Sequence, residues 1–467
     1  MRRGLPLLLL LLMPGAYAQI QSMADGIRAG RAAFEAGEPQ RARALFSAAL
    51  AQPDGNRDDA FAAAIGLGRA NLWLGDYPAA SRAFGLAREQ ATDIAGREAA
   101  DSGLAQALNA QDYPRKAFAL VAPFARGQAG PTLELMRAMQ SLGWQDKSPA
   151  YLEAPPPTGH AGTQYRLLQD DMRYALAPRM EGSFGFSHDS EDLDTWRVDA
   201  AWRSAPRVEG QQALGWGVAA GTVRVDDRQR QRRLDDAALL GQLRIADDHY
   251  IDLRLGLGRS SGWQYLQGAM HWTMRASDSF SLSVGAERAP LLTDAAIERR
   301  LVGNTSSLAA SLRPATAWYV LPTYYRQTFS DGNRRDGGML RVLLSPRDIP
   351  DTAAAIGAEL STRLFHSSQP GRGVYFNPAR YRATTAGLVG VYGFSPRWKL
   401  RATADIGRQT IDGTNAGIYG WKASLEGRLP YNGRLQFQLG RSSAASDSSG
   451  GAGYWNNNLV LSVSYPL

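Results

Sequence analysis

Five histidines, His160, His188, His249, His271 and His366, are the side chains best suited to proton transfer or metal binding near neutral pH. No two of them stand at a metal-ligand spacing, and neither a His-Glu-x-x-His nor a Gly-x-Ser-x-Gly motif stands out. A Ser–His pair assembled in space at a rim is left as the alternative, an enzyme modifying lipid or glycan. The acidic run Asp189, Glu191, Asp192 and Asp194 reads as a solvated loop rather than a cation site. Another group of charges follows a rule. Arg254, Arg401, Lys422, Glu426, Arg428 and Arg434 each alternate with apolar neighbours along their segments. Guanidinium, ammonium and carboxylate groups on one wet face exchange hydrogen bonds with a polar solute; they make and break no covalent bond.

Strands are the elements that place side chains in that way, because successive residues point to opposite faces. Ile251-Asp252-Leu253-Arg254-Leu255-Gly256-Leu257 carries an apolar face and a charged one. Lys399, Arg401 and Asp405 alternate with Leu400, Ala402, Ala404 and Ile406 in the same way, and Lys422, Glu426 and Arg428 with Trp421 and Leu425. The rhythm predicts sixteen strands near 179–187, 193–203, 213–225, 233–245, 249–258, 264–276, 278–288, 302–313, 316–328, 336–345, 352–365, 380–393, 397–410, 416–429, 433–442 and 457–467. An even count with turns that alternate between short and long is the pattern of an antiparallel transmembrane β-barrel. A charge facing lipid at mid-membrane costs about 2–4 kcal/mol, so the charged faces are expected to line a wet lumen. Trp263, Tyr265, Trp318, Tyr319, Tyr392, Trp398 and Tyr431, near strand ends, are expected mostly to form a membrane-interface girdle.

Before the strands the period is helical. Residues 36–42, 74–80 and 110–117 repeat a small-residue turn followed by Pro39, Pro78 or Pro114, where a proline opening a helix costs no hydrogen bond. Phe46, Phe84 and Phe118 follow as plugs. The spacing is close to the tetratricopeptide period of about 34 residues. The expected organisation is a leader at 1–18, cleaved after Ala18, a TPR-like helical repeat domain at 22–152, a Pro-rich linker and lead-in at 153–177, and the barrel at 178–467. The fold class is therefore α+β multidomain: a short α-helical TPR-like solenoid, then a 16-stranded antiparallel β-barrel.

Composition removes other classes. Cys is absent, which rules out a disulfide framework or thiolate chemistry. The net charge of +8 is spread through strands and turns rather than gathered on one helix, so no nucleic-acid partner is expected. No cofactor or metal is expected.

Gly373-Val374-Tyr375-Phe376-Asn377-Pro378-Ala379-Arg380-Tyr381, followed by Gly390-Val391-Tyr392-Gly393 and Trp398-Lys399-Leu400, resembles the signature near the end of the cellulose synthase operon protein C barrel. The resemblance implies a bacterial outer-membrane export porin for an exopolysaccharide, cellulose or a similar β-glucan. It implies an N-terminal domain in the periplasm that docks synthase components of the periplasm or inner membrane. Its partners would be the polysaccharide chain and outer-membrane lipid. Tyr375, Phe376, Asn377, Pro378, Arg380 and Tyr381 are then expected in an extracellular loop that gates or guides. A channel for another polysaccharide is the variant of this reading.

Overall fold

The computed structural model describes residues 21–125, 129–153, 159–227, 229–344, 354–371, 373–446, 450–451 and 453–467. The expected leader and Pro155 to Pro157 of the expected linker lie outside the described residues. The chain divides into two compact units, Met1–Asn109 with Ala119–Phe124, and Ala110–Phe118 with Ala125–Leu467.

The first unit is helical: α1 (Met23–Glu35), α2 (Pro39–Leu50), α3 (Arg57–Trp73), α4 (Tyr77–Gln90) and most of α5 (Ile94–Ala110). Ser22, Asn56 and Asp76 cap the starts of α1, α3 and α4 by accepting from backbone N–H groups that lack helical partners. Gly37 and Gly75 turn the chain after α1 and α3 with φ of +78° and +72°, which a side chain rarely tolerates. The packing repeats as the sequence does. The Phe46 ring lies where a Cβ on Gly30 or Gly66 would be, and the Phe84 ring fills the same place beside Gly68 and Gly103. Small residues thus let neighbouring helices close on one buried ring.

The second unit begins with Ala110–Phe118, which holds the start of α6 (Pro114–Val121), and continues through α7 (Ala129–Leu142), a 3-10 turn at Gln145–Lys147, α8 (Pro149–Leu152) and α9 (Gly159–Leu176). Phe118 departs from the expected plug series: it packs edge-on against Trp144 of this second unit, with ring centroids 5.1 Å apart.

The strands follow as β1 (Arg179–Asp189), β2 (Asp194–Arg203), β3 (Arg207–Glu209), β4 (Gln212–Asp226), β5 (Gln231–Ala246), β6 (His249–Ser260), β7 (Trp263–Ser277) and β8 (Phe280–Pro290). After helix α10 (Asp294–Glu298) come β9 (Val302–Ala315), β10 (Trp318–Phe329), β11 (Arg334–Leu344), β12 (Ala354–Ser367), β13 (Arg380–Ser395), β14 (Trp398–Ile411), β15 (Thr414–Arg428), β16 (Arg434–Ser442) and β17 (Asn456–Pro466). β3 is a three-residue extension paired only with β4. The other sixteen pair antiparallel with their neighbours, and β1 pairs with β17, so the sheet closes on itself. Each end of those sixteen lies within two residues of the one expected from hydropathy, and the short β3 was not expected.

Closure leaves an outer and an inner face. Leu239, Leu257, Ile356, Leu388 and Ile406 stand outward and exposed. Inward positions on the same strands hold charges, small residues and glycines. One end of the barrel has mostly short turns; the other carries the long connections 291–301, 368–379 and 443–455. Among the described residues no helix is long and apolar enough to cross a membrane.

Candidate functional site

The inward face is where the alternating charges converge. Arg254 reaches across from β6 to Asp236 of β5 at 2.7 Å. Arg341 of β11 makes a two-pronged contact with Glu359 of β12 at 2.8 and 3.0 Å. Arg203 and Arg179 share Glu181 at 2.9 and 2.8 Å. Planar guanidinium and carboxylate match in this geometry, which fixes the side chains against the wall. Two adjoining cavities open between them, of about 490 and 380 Å³, with Glu426 and Gln436 in the lining of both. Arg254 and Arg434 line the first, Arg401 and Lys422 the second. Among the described residues, Arg401, Lys422 and Glu426 make no side-chain hydrogen bond or ion pair, so their groups are open to a solute.

At the short-turn end, helices of the same unit sit against the barrel through ion pairs of both polarities, Arg115 and Lys147 meeting Asp248 and Asp247 at 2.5 Å while helix-side carboxylates meet barrel arginines. Asp171 of α9 accepts from Arg428, at 2.6 Å, and from Arg434. Asp146 holds Arg244, and Asp112 holds Arg313 at 2.5 Å. Trp144 donates its indole N–H to the Asp247 carbonyl at 2.7 Å, and Tyr250 donates to the Leu142 carbonyl at 2.5 Å. Arg428 and Arg434, expected to touch a solute, are therefore engaged by a helix at the mouth.

At the long-loop end, loop residues pack on inward aromatic rings of the strands. Val374 and Tyr375 join Phe329, Ala296 and Leu301 in one buried cluster; Phe376 joins Phe365, Tyr381, Ala383, Ile418 and Ala445 in another. Ile297 of α10 packs on Val223, Val225, Leu234 and Tyr265. Arg335, 1% exposed, donates to the Phe376 carbonyl at 2.5 Å and lies over the Phe365 ring. Asn333 donates to the Tyr375 hydroxyl and to Asn377 Oδ1, both at 2.9 Å. The loop motif thus lies folded into the mouth rather than out in solvent. Burial pushes the Tyr375 phenol up to about 12. Within the motif, Arg380 and Tyr381 belong to β13, Arg380 outward and Tyr381 inward, and Pro378 lies in the connection before them.

Two expectations change. Trp263 and Tyr265 sit with the inward cluster around Leu234 instead of in a lipid girdle, and Tyr319 donates to Asp112 at 2.8 Å at the short-turn end. Alternation with Leu266, exposed on the outside, already carried the signal for Tyr265. The literal string Gly258-Arg259-Ser260-Ser261-Gly262 is the β6–β7 hairpin, not the strand-to-helix elbow of a serine hydrolase. His188 pairs with Asp194 at 2.7 Å in the first hairpin, and His249 stacks on Trp272. Among the described residues no group of His, Asp and Glu is placed to hold a metal. Sequence reasoning did not single out Arg335, Asn333 or Arg244, the charges and amide that tie loop and helix residues to the two rims.

No family model and no curated protein matches this chain. Its fold is similar to that of a solved bacterial polysaccharide outer membrane secretin, with a TM-score of 0.53 at 11% identity, the match covering 63% of this chain and 99% of that one. The chain folds as an outer-membrane-type β-barrel. Two further solved barrels are also similar, with lower TM-scores. CdiB from Acinetobacter baumannii gives a TM-score of 0.38 at 12% identity over 62% of this chain and 60% of its own. OccK7 (OpdD) from Pseudomonas aeruginosa gives 0.33 at 13% over 62% and 98%.

Proposed function

We propose that this protein is a passive outer-membrane export channel for an exopolysaccharide, with cellulose or a similar β-glucan as cargo. The observation that carries the reading is the pair of adjoining polar cavities inside a sixteen-stranded barrel. A barrel of that strand number is wide enough for an aqueous path. Its wall offers Arg401, Lys422, Glu426 and Gln436 as donors and acceptors for sugar hydroxyls, interspersed with ion pairs that are already satisfied. A hydroxylated chain exchanges such contacts at little net cost, so none of them traps it. The likeness to a polysaccharide secretin supports the cargo class, and the Gly373 to Tyr381 motif supports a β-glucan. Synthesis behind the polymer supplies the drive, and no covalent step or cofactor is involved.

In this reading the short-turn end faces the periplasm and the long-loop end the exterior. Residues 22–152 serve as a TPR-like docking module for periplasmic or inner-membrane synthase components, residues 1–18 as the export leader, and residues 153–177 as linker and lead-in. Tyr375 to Tyr381 form the outer gate. Single-channel recording in planar bilayers tests the proposal. Deleting 368–379 should raise conductance, and neutral β-1,4-gluco-oligosaccharides should then block the current reversibly and in proportion to chain length. A current indifferent to gluco-oligosaccharides with the loop removed sinks the reading.

A further inference from the structure

At the long-loop end the outward face of the barrel changes character. Val223 and Val225 are buried on the lumen side of β4, which leaves Arg224 between them on the outside. Directly across on β5 stands Arg233, and Arg259 of β6 stands opposite Asp235 of β5. Like charges facing each other in an antiparallel pair destabilise it. Asp235 lies 2.8 Å from Arg233 and 3.8 Å from Arg259, so one carboxylate serves two of the three neighbouring guanidiniums. Arg233 and Arg259 keep 59% and 78% of their side-chain surface exposed.

Toward the waist, the same outer surface holds a groove of about 370 Å³ lined by Ala237, Leu257 and Gly258 together with Asp235, Asp236, Arg259 and Gln264. Exposed Leu239 and Leu255 continue the apolar surface below it. The charge pattern recurs around the rim: Arg326 and Arg334 flank Asp336, and Arg382 and Arg408 lie diagonally across β13 and β14. At the short-turn end the outward positions hold Trp216, Ile245, Trp318 and Phe394 instead. The belt of arginines belongs to one end only.

We propose that this belt, at its strongest around Arg224, Arg233 and Arg259, binds the phosphorylated head group of an outer-leaflet glycolipid, with an acyl chain in the groove against Leu257. Arginine suits phosphate because its planar donors meet two oxygens at once. A phosphate between Arg224 and Arg233 also turns a repulsive pair into a bridged one. Surplus cation at the membrane surface, directly above apolar wall, matches an amphiphile with an anionic head. The inference rests on the barrel standing in an outer membrane with its long loops outside, and is independent of the cargo.

Purified full-length protein is titrated with bis-phosphorylated lipid A and with its dephosphorylated form, and bound lipid is counted by native mass spectrometry. The parent should bind the phosphorylated form at least about tenfold more tightly, given the attraction of each surface arginine for anionic lipid. Arg224→Gln/Arg233→Gln/Arg259→Gln should lose that preference, while Arg207→Gln, on β3 at the short-turn end, keeps it. Folding of each variant is checked by heat-modifiable gel migration. Should the triple variant fail to fold, Arg259→Gln alone, the most exposed of the three, should still bind the phosphorylated form measurably more weakly. Equal binding of the two lipids by the parent overturns the proposal, as does an unchanged preference in the folded triple or single variant. Gluco-oligosaccharide block is read on the same preparations, so failure here and failure of the channel reading are told apart.

Discussion

Arg335 lies over the ring of Phe365, its guanidinium carbon 4.3 Å from the ring centroid, and it also donates to the backbone carbonyl of Phe376 and to Gln327 Oε1 at 3.0 Å. One side chain on β11 therefore fastens a loop from the β12–β13 connection to the barrel wall. The contact joins a buried cation to a π face and a carbonyl oxygen, both electron-rich partners.

Replacing Arg335 by Leu keeps bulk and removes the donor, leaving the Phe376 carbonyl without that partner. A lost hydrogen bond of this kind costs about 1–3 kcal/mol. The expected outcome is a lower unfolding temperature and higher, noisier single-channel conductance. Conductance equal to that of the parent would mean that the loop does not occlude the path.

Tyr375 supplies a pH test. Its phenol accepts from Asn333 and donates to Asp331 at 3.2 Å, and burial raises its pKa to about 12. The folded pKa lies above the ordinary value near 10. Its contribution is therefore complete below pH 10 and is lost as pH rises through about 12. Conductance should rise over that window in the parent. In Tyr375→Phe, where nothing ionises at that position, the rise should flatten.

Asp171 bridges Arg428 and Arg434, each about a fifth exposed. Asp171→Asn leaves two guanidiniums side by side with weakened compensation. Hydrogen bonds to charged groups contribute about 1.5–3 kcal/mol, and residual solvent access places this bridge toward the lower figure. Trypsin should then cut within α9 faster than in the parent, while the barrel itself stays heat-modifiable.

Gly258 lies beneath Tyr265: a Cβ there would fall 2.2 Å from the ring. Gly258→Ala should destabilise the barrel by about 1–3 kcal/mol, the usual cost of overpacking. Tyr265→Ala in the same chain should recover part of that loss, because the clash is then gone. Unfolding temperatures of the two single variants and the double variant decide it.

Lys422 and Arg401 face the second cavity without ion-pair partners among the described residues. Changing both to Gln removes two positive charges from the wall. The reversal potential across a KCl gradient should shift toward cation selectivity, most clearly at low salt, where screening is weak.

The sequence by itself determined the barrel: strand number, strand limits to within two residues, and which side of each strand meets apolar surroundings. Those properties are carried by a period of two, and a one-residue slip would put Arg401 or Lys422 in lipid, so the pattern is strongly constrained. The helical turns were equally local, written in Gly37, Pro39, Gly75 and Pro78. Tertiary structure decided what happens at the two mouths. Asp171 meets Arg434 across 263 residues of chain, and Arg335 meets Phe376 across 41. Loops carry no hydropathy period, so nothing in their sequence says whether they fold outward or tuck in. That choice follows from which inward rings, Phe329, Phe365 and Tyr381 among them, the closed sheet gathers at one rim to receive them.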